Sequence, residues 1–334
     1  MSPLRVLVVF GTRPEAIKLC VLIRRLQEIP ESCTVRTCVT AQHRAMLDQV
    51  LEAFEVTPDR DLNLMKPDQS LFAVTTATLR GLEPVLAEEQ PDMVLVQGDT
   101  TTTLAAALAA FYAKAPVDHV EAGLRTGNVH SPFPEEMNRT LTSRLSSLHF
   151  APTRLAAENL RWEGIGEQSI FVTGNTVIDA LLSMREALES GDIPRPSWSF
   201  FDPARKLILV TAHRRESFGK GLEQICEALA DLARRPDVQI ACPVHRNPNV
   251  QEAVHRRLAA VPGIELLEPI DYIPLIDLLM RSHFVLTDSG GIQEAALSLG
   301  KPVLVMREVT ERPEAVEAGT VLVVGADRAR IVEQ

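Results

Sequence analysis

The sequence is poor in aromatic residues, paired cysteines and basic charge, and each shortage excludes a class of protein. Aromatics make up 4% of the 334 residues, so stacking platforms for single-stranded nucleic acid are scarce. The chain carries 44 acidic and 34 basic residues, whereas a non-specific nucleic-acid binder is normally basic. The five cysteines form no C-x-x-C pair, which disfavours a disulfide scaffold or a zinc site. We therefore expect no nucleic-acid partner and no bound metal.

Long apolar runs and targeting signals are also missing. No apolar run reaches the ~20 residues that a membrane span needs, and the N-terminus enters a short apolar strand without a signal peptide. These features predict a soluble, cytoplasmic protein with no membrane partner. The composition, 46% hydrophobic and 23% charged, is that of a folded globular protein, and the length suits two domains.

Short apolar runs alternate with helix-like patterns along nearly the whole chain. Runs that are apolar on both faces, with helices between them, predict parallel sheets covered on both sides. The alternation pauses at residues 189–205, where prolines cluster, and we interpret this stretch as a linker. The predicted fold class is α/β, with two doubly wound, Rossmann-like domains at about 1–175 and 176–334. The predicted strands are 5–10, 35–39, 93–96, 117–120, 170–172, 207–210, 238–241, 264–267, 284–287, 303–306 and 321–324.

Polar residues gather where these predicted strands end. In open α/β sheets, ligands bind at the carboxyl ends of the strands, and two such sheets facing each other would form one cleft. Ser289, Gly290 and Gly291 follow a strand and open a helix, an arrangement that suits phosphate but also fits an ordinary tight turn. The chain has neither G-x-G-x-x-G nor a P-loop, so no dinucleotide cofactor or ATP hydrolysis is indicated.

Three carboxylates are candidates for acid–base chemistry. Asp99 and Glu121 follow strands, and Glu135 begins a helix. Carboxylates that cluster in a partly dry cleft repel one another, which raises some of their pKa values and equips them for proton transfer. Two of them also have a structural interpretation: Asp99 could cap a helix, and Glu135 could complement a helix dipole.

Basic groups also lie near the predicted strand ends. A single arginine is usually a solvated surface group, but several converging on one cleft would suit a diphosphate. His245 follows a strand as well, where a histidine is more often a structural hydrogen-bonding group than a ligand-binding one. The candidate basic groups are Arg13, Lys18, His213, Arg214, Arg215 and Arg312.

Seven segments closely resemble motifs of the bacterial non-hydrolysing UDP-N-acetylglucosamine 2-epimerases, and in order they cover essentially the whole chain. They are FGTRPEAIK at 10–18, GDTTTT at 98–103, HVEAGLRT at 119–126, SPFPEE at 131–136, TGNT at 173–176, HRRE at 213–216 and TDSGGIQE at 287–294. The resemblance implies a glycosyltransferase-B type fold, usually in a homodimer. It also implies interconversion of UDP-GlcNAc and UDP-ManNAc at carbon 2, with no cofactor, for cell-envelope polysaccharide synthesis.

The resemblance implies roles for individual residues. The acid–base carboxylates would be Asp99, Glu121 and Glu135, with His213 beside the diphosphate and sugar. Some members bind a second UDP-GlcNAc as an activator, and the matching positions here are Gln42, Arg214 and His245. The implied substrate-binding residues are Arg13, Lys18, Ser289, Gly290, Gly291 and Arg312.

The chain departs from the family pattern at several positions. Ala295 stands where the family has a glutamate that takes the ribose hydroxyls, and Leu275 where many members have phenylalanine beside uracil. Ile270 and His130 also differ from common residues. Members usually continue for several tens of residues past the position of Gln334, so we expect the family's C-terminal crossover helix to be absent from this chain. Two alternatives stay open: a hydrolysing 2-epimerase that releases N-acetylmannosamine, and a catalytically weak paralogue that binds UDP-sugars.

Overall fold

A computed structural model describes residues 2–41, 44–64, 66, 69–212, 220–245, 247–307 and 319–334. The chain divides into two compact units, Met1–Ala180 and Leu181–Gln334. In each unit the described residues form one sheet of parallel strands, and helices lie between most of the successive strands that the structure describes. This confirms the predicted α/β fold of two Rossmann-like domains.

The sheet of the first unit has seven strands in the order β3-β2-β1-β4-β5-β6-β7. Strand order therefore reverses between β1 and β4, where Val6 pairs with Met93. The elements are β1 (Leu4–Phe10), α1 (Arg13–Gln27), β2 (Cys33–Val39), α2 (Arg44–Ala53), β3 (Arg60–Asp61), α3 (Leu71–Glu89), β4 (Met93–Gln97), α4 (Thr101–Tyr112), β5 (Val117–Val120), α5 (Glu135–Leu145), β6 (Leu148–Ala151), α6 (Arg154–Trp162), β7 (Ile170–Val172) and α7 (Thr176–Ser190), the last of which runs into the second unit.

The sheet of the second unit has six strands in the order β10-β9-β8-β11-β12-β13, the same winding as in the first unit. Here the order reverses between β8 and β11, where Thr211 pairs with Thr287. The elements are β8 (Lys206–Thr211), α8 (Lys220–Ala233), β9 (Val238–Pro243), α9 (Pro248–Leu258), β10 (Ile264–Leu267), α10 (Tyr272–Arg281), β11 (Phe284–Thr287), α11 (Gly290–Ser298), β12 (Val303–Val305), β13 (Val321–Val323) and α12 (Arg328–Glu333).

The strands are covered on both faces, as their continuous apolar character predicts. In β8, Ile208 and Val210 pack into one buried cluster with α8 and α9. Leu207 and Leu209 belong to a second cluster, which includes residues of α10 and α11. Successive strand side chains point to opposite faces, so each residue of β8 joins the core on its own side.

A buried carboxylate anchors the segment that leads into β8. Asp277 of α10 is fully buried and accepts hydrogen bonds from Arg195 Nε (3.0 Å), Trp198 Nε1 (2.8 Å) and Arg281 Nε (2.7 Å). The predicted linker begins at residue 189, but α7 continues to Ser190, and the segment without helix or strand is 191–205. The three donors compensate for burial of the carboxylate and fix this segment against α10.

The sequence predicts eleven strands, and the structure confirms each of them to within two residues at either end. Two short strands, β3 and β6, lie outside those predictions. The structural alternative for Asp99 is wrong, because Thr100 caps α4 and its side chain accepts the Thr103 N–H. No helix among the described residues is long and apolar enough to cross a membrane.

Candidate active site

Both sheets place polar loops at the point where strand order reverses, which is where ligands bind in this fold class. In the first unit these loops follow β1 and β4, and Glu121 follows the neighbouring β5. In the second unit the loop that follows β11 contains Ser289, and Thr211 ends the neighbouring β8.

Glu15 joins the loop after β1 to the loop after β4. It lies at the third position of α1, and only 1% of it is exposed. Its carboxylate accepts the N–H groups of Gly11 (3.0 Å) and Thr12 (2.7 Å) and the hydroxyls of Thr100 (2.6 Å) and Thr103 (3.0 Å). Four donors satisfy the buried charge, and these hydrogen bonds hold the two loops in a fixed arrangement.

Glu121 adopts a left-handed backbone conformation, with φ of 64°. This conformation costs a residue other than glycine about 1–2 kcal/mol, and such strain concentrates at functional sites. Gly123, two residues on, has φ of 90°, and an added Cβ would lie 2.2 Å from the Ala156 carbonyl oxygen. The chain therefore turns sharply after β5 and directs Glu121 toward the loops after β1 and β4.

Three donors hold the Glu121 carboxylate. Lys18 Nζ lies 2.5 Å from Oε2, Gln97 Nε2 donates to the same oxygen, and Asn175 Nδ2 donates to Oε1 at 3.0 Å. Only 12% of the Glu121 side chain is exposed. Because both oxygens accept hydrogen bonds, the group is fixed in one orientation, with the bonding pattern of a carboxylate anion.

Asp99 lies beside this cluster and is held from α5. Arg139 Nη2 lies 3.2 Å from Asp99 Oδ2, and Asn138 Nδ2 donates to the Asp99 carbonyl at 2.9 Å. Burial raises the pKa of Asp99 to about 6, against the opposing charge of Arg139, with a further rise from the negative charge of Glu121. Asp99 thus populates both protonation states near neutral pH, which suits a proton carrier.

Glu135 begins α5, and its neighbour Glu136 fixes the preceding loop. Glu136 is buried, and its Oε1 accepts the N–H groups of Thr126 (2.9 Å) and Gly127 (3.0 Å). Glu135 is half-buried, and its charge is close enough to raise the pKa of Asp99. The structure therefore brings Asp99, Glu121 and Glu135 into one cluster, in which Lys18 pairs with Glu121.

His119 supports the Asp99 loop from inside the sheet. Its Nε2 is 2.7 Å from the Gly98 carbonyl oxygen. Burial lowers the pKa of His119 to about 4, so the ring is neutral at physiological pH and donates its Nε2–H to that carbonyl. This contact fixes the backbone one residue before Asp99.

The second unit presents hydroxyl groups and backbone N–H groups at its switch point. The Thr211 and Thr287 hydroxyls are 2.6 Å apart, and Thr287 Oγ1 accepts the Ser289 N–H at 3.0 Å. Ser289 precedes α11, and its side chain makes no capping bond among the described residues. Gly291 is exposed, and an added Cβ there would meet no described atom within 4 Å. This loop leaves the first N–H groups of α11 open to an anionic ligand.

Metal ligation lacks an obvious residue set in the part of the chain that the structure describes. No group of three or more His, Cys, Asp or Glu side chains there could hold a metal ion. The five cysteines are all buried and unpaired with one another. What the described residues offer is carboxylates and basic side chains such as Lys18 and Arg139 in the first unit, and an open helix start in the second.

Comparison with known proteins identifies the family. The profile of the UDP-N-acetylglucosamine 2-epimerases matches residues 24–334. The chain belongs to the UDP-N-acetylglucosamine 2-epimerase family. It is 57% identical to the Escherichia coli K12 UDP-N-acetylglucosamine 2-epimerase over 336 residues, which cover 99% of this chain and 89% of that protein.

Solved structures of this epimerase family are similar to the chain in both sequence and fold. The Neisseria meningitidis UDP-GlcNAc 2-epimerase bound to UDP-GlcNAc is 52% identical with a TM-score of 0.88, covering 98% of this chain and 90% of that one. The Methanocaldococcus jannaschii enzyme, in complex with UDP-GlcNAc and UDP, is 35% identical with a TM-score of 0.78, covering 98% and 91%. The similarity extends over both units of the chain.

The remaining predicted site residues of this epimerase-family chain fall into two groups. Arg13 begins α1 and is half-buried, and His245 follows β9, where its Nδ1 accepts the Asn247 N–H at 3.1 Å. Ala295 is half-buried and packs beside the apolar cluster that includes Leu275 and Ile270. Gln42, His213, Arg214, Arg215 and Arg312 lie outside the described residues.

Sequence reasoning missed several residues that hold the cluster. Glu15 had a usable signal, since Thr12-x-x-Glu15 is a capping box. Arg139 had a weaker one, because it lies four residues after Glu135 and so on the same helix face. Asn175 lies in the TGNT motif at 173–176, but neither Asn175 nor Gln97 had a signal for its contact with Glu121, because these contacts depend on how distant segments pack.

Proposed function

We propose that this chain interconverts UDP-N-acetylglucosamine and UDP-N-acetylmannosamine at carbon 2, by eliminating UDP and adding it back. The observation that carries the proposal is the cluster of Asp99, Glu121 and Glu135 at the carboxyl ends of adjacent parallel strands and at the start of α5. The names and bound ligands of the relatives support the same reaction.

In the elimination step, a carboxylate takes the proton from carbon 2 while the carbon 1–oxygen bond to UDP breaks. The electron pair of the C–H bond becomes the carbon 1–carbon 2 double bond of 2-acetamidoglucal, and UDP leaves with the electrons of the C–O bond. We assign the base role to Glu121, because three donors orient its carboxylate and leave it in the bonding pattern of an anion.

In the addition step, UDP returns to carbon 1 and carbon 2 receives a proton on the opposite face. This step needs a second group that carries a proton at neutral pH. We assign that role to Asp99, since its pKa of about 6 lets it hold or release a proton there. Glu135 is the third member of the cluster and completes the acid–base set.

The nucleotide end of the substrate needs donors that stabilise the charge on departing UDP. In this proposal the C-terminal domain, residues 176–334, supplies them through Ser289, Gly290 and Gly291 at the start of α11. The N-terminal domain, residues 1–175, adds Arg13 and Lys18. The family resemblance adds His213 and Arg312 to these substrate-binding residues. By the same resemblance, Gln42, Arg214 and His245 would form the activator site.

We further propose that the protein is a cytoplasmic homodimer that turns over without metal or nicotinamide. Elimination and addition transfer only a proton and UDP, so the reaction calls for no redox partner. Activity that persists in chelator without added NAD would support this, and activity restored only by a divalent metal would overturn it. Light scattering should give twice the mass of one chain.

The proposed reaction is tested by incubating the protein with UDP-GlcNAc in deuterated water and following the mixture by proton NMR. We expect both UDP-sugar epimers, each with deuterium at carbon 2. Free N-acetylmannosamine with UDP would instead identify a hydrolysing enzyme. Binding of UDP-GlcNAc with neither exchange nor product would identify a binding paralogue, the alternative that Ala295 motivates.

A further inference from the structure

Arg139 lies at the centre of the contacts that join the loop after β4 to α5. Its Nη2 pairs with Asp99 Oδ2 at 3.2 Å, and its Nε lies 3.4 Å from Glu136 Oε2. The same Nε donates to the Glu135 carbonyl at 3.4 Å. Only 10% of the Arg139 side chain is exposed, so it contacts these groups in a largely dry environment.

The two carboxylates that contact Arg139 have few other partners among the described residues. Glu136 Oε2 is buried and has no hydrogen-bond partner within the described residues, whereas its Oε1 holds the loop at Thr126 and Gly127. Within the described part of the chain, the ion pair of Asp99 is the one with Arg139. A single guanidinium therefore connects two carboxylates, one in the acid–base cluster and one that fixes the loop preceding Glu135.

We propose that Arg139 is a positioning residue, which holds Asp99 and the start of α5 in one arrangement and tunes the proton affinity of Asp99. This inference rests on the proposed role of Asp99 in proton transfer. Arg139 acts through its neighbours and, in this proposal, does not touch the substrate.

Among the residues that the structure describes, the charges that face Asp99 come from α1, from α5 and from the segment after β5. Lys18 of α1 and Arg139 of α5 favour the ionised carboxylate, whereas Glu121 after β5 and Glu135 of α5 oppose it. Of the two cations, Lys18 is already bound to Glu121 at 2.5 Å. Removing Arg139 therefore takes away the main group that stabilises the Asp99 anion, and the pKa of Asp99 should rise.

The test is a carbon-13 NMR titration of the protein labelled at aspartate carboxyls, with the Asp99 signal identified by its loss in Asp99→Asn. We expect Arg139→Gln to raise the Asp99 pKa from near 6 by at least about one pH unit, as loss of a close opposite charge predicts. Arg139→Lys keeps the charge and should restore most of the wild-type value. The matched control is Arg144→Gln, because Arg144 is an exposed arginine on the same helix.

A variant with the opposite expected sign keeps the test decisive if Arg139→Gln fails to fold. Glu136→Gln removes the carboxylate that competes for Arg139, so the pKa of Asp99 should fall. In turnover assays, Arg139→Gln should move the pH profile of kcat to higher pH and change KM for UDP-GlcNAc by less than about threefold.

The outcomes separate this inference from the proposed function. An Asp99 titration that is unchanged in both Arg139→Gln and Glu136→Gln overturns the role of Arg139, whatever the activity. If Asp99→Asn retains full turnover while the titration moves as expected, the proposed role of Asp99 fails and the positioning by Arg139 stands. Where Arg139→Gln does not fold, the Glu136→Gln and Arg139→Lys titrations decide alone.

Discussion

The two units share one strand order but carry different chemistry where that order reverses. In the first unit, side chains from distant segments converge on carboxylates. The Glu121 carboxylate, for example, accepts hydrogen bonds from three side chains. In the second unit, the Thr211 hydroxyl contacts the Thr287 hydroxyl of the neighbouring strand, and Thr287 accepts the Ser289 N–H in the loop before α11. The same scaffold thus presents fixed side-chain charges in one unit and open backbone groups in the other.

This difference suits two tasks in one reaction. Proton transfer needs side chains held at fixed positions with adjusted pKa values, which explains the number of contacts around Asp99 and Glu121. Holding a diphosphate needs N–H groups that point outward from a helix start, and glycine leaves room for it. We interpret the first unit as the site of proton chemistry and the second as the nucleotide anchor.

Each unit also buries a carboxylate away from the candidate site, Asp118 in the first unit and Asp277 in the second. Substitution of Asp277 should have the largest effect on stability. Asp277 is bound by two arginines and a tryptophan. Asp277→Asn should lower the free energy of unfolding by about 3–5 kcal/mol, because both guanidinium groups lose their anion. Urea unfolding measures it, with Asp202→Asn as the control, because the exposed Asp202 carboxylate accepts the Ala204 N–H and its contacts with Gln239 are made by its backbone. A loss below about 1 kcal/mol would contradict the anchor.

The acid–base assignment predicts the next largest effect. Glu121→Gln keeps size and shape but removes the anion, so kcat should fall at least about 100-fold, in the range of general acid–base contributions. Initial rates from UDP-GlcNAc measure it. Glu158→Gln, at an exposed position of α6, is the matched control and should leave kcat unchanged. Near-normal turnover in Glu121→Gln would remove this residue from the mechanism.

Asp118 is a buried carboxylate of the first unit, and its contribution to stability, unlike the anchoring role of Asp277, should depend on pH. It is buried in β5, and burial raises its pKa to about 6, although the backbone at Leu148 opposes the rise. The folded state therefore disfavours the ionised form, and stability falls as the pH rises from about 4 to above 6. Asp118→Asn should match wild type at pH 4 and be more stable at pH 8 by about 1–3 kcal/mol. A difference that does not grow with pH would contradict this.

The smallest expected effect lies in the second unit. Gly291→Ala adds a methyl group where a phosphate would approach, so UDP affinity should fall about tenfold, or about 1.4 kcal/mol. Because the position is open and lies in the first turn of α11, stability should stay unchanged or rise by up to about 1 kcal/mol. Calorimetric titration of UDP and thermal unfolding measure the two quantities. Equal UDP affinity in the variant would contradict the anchor role of the loop.

The sequence predicts the parts of this molecule that local pattern controls. Buried strands and their polar ends follow from short apolar runs, and motif resemblance marks Asp99, Glu121 and Glu135. Strands β3 and β6 escaped because one has only two residues, Arg60 and Asp61, and the other has four with a buried His149.

What the sequence could not predict depends on long-range packing. The left-handed backbone at Glu121 and its contact with Asn175, 54 residues away, have no local signal. The capping role that seemed natural for Asp99 belongs to Thr100, which frees the Asp99 side chain for Arg139.

The division of tasks between the two units is tested most directly by measuring UDP affinity and turnover side by side in Glu121→Gln and Gly291→Ala. The account predicts that the UDP affinity of Glu121→Gln stays within about threefold of the wild-type affinity. It predicts that the turnover of this variant falls at least about 100-fold. It predicts that Gly291→Ala loses about tenfold in UDP affinity, with a smaller loss in kcat. If Glu121→Gln weakens UDP binding as much as Gly291→Ala does, or if Gly291→Ala loses as much kcat as Glu121→Gln, the division is contradicted.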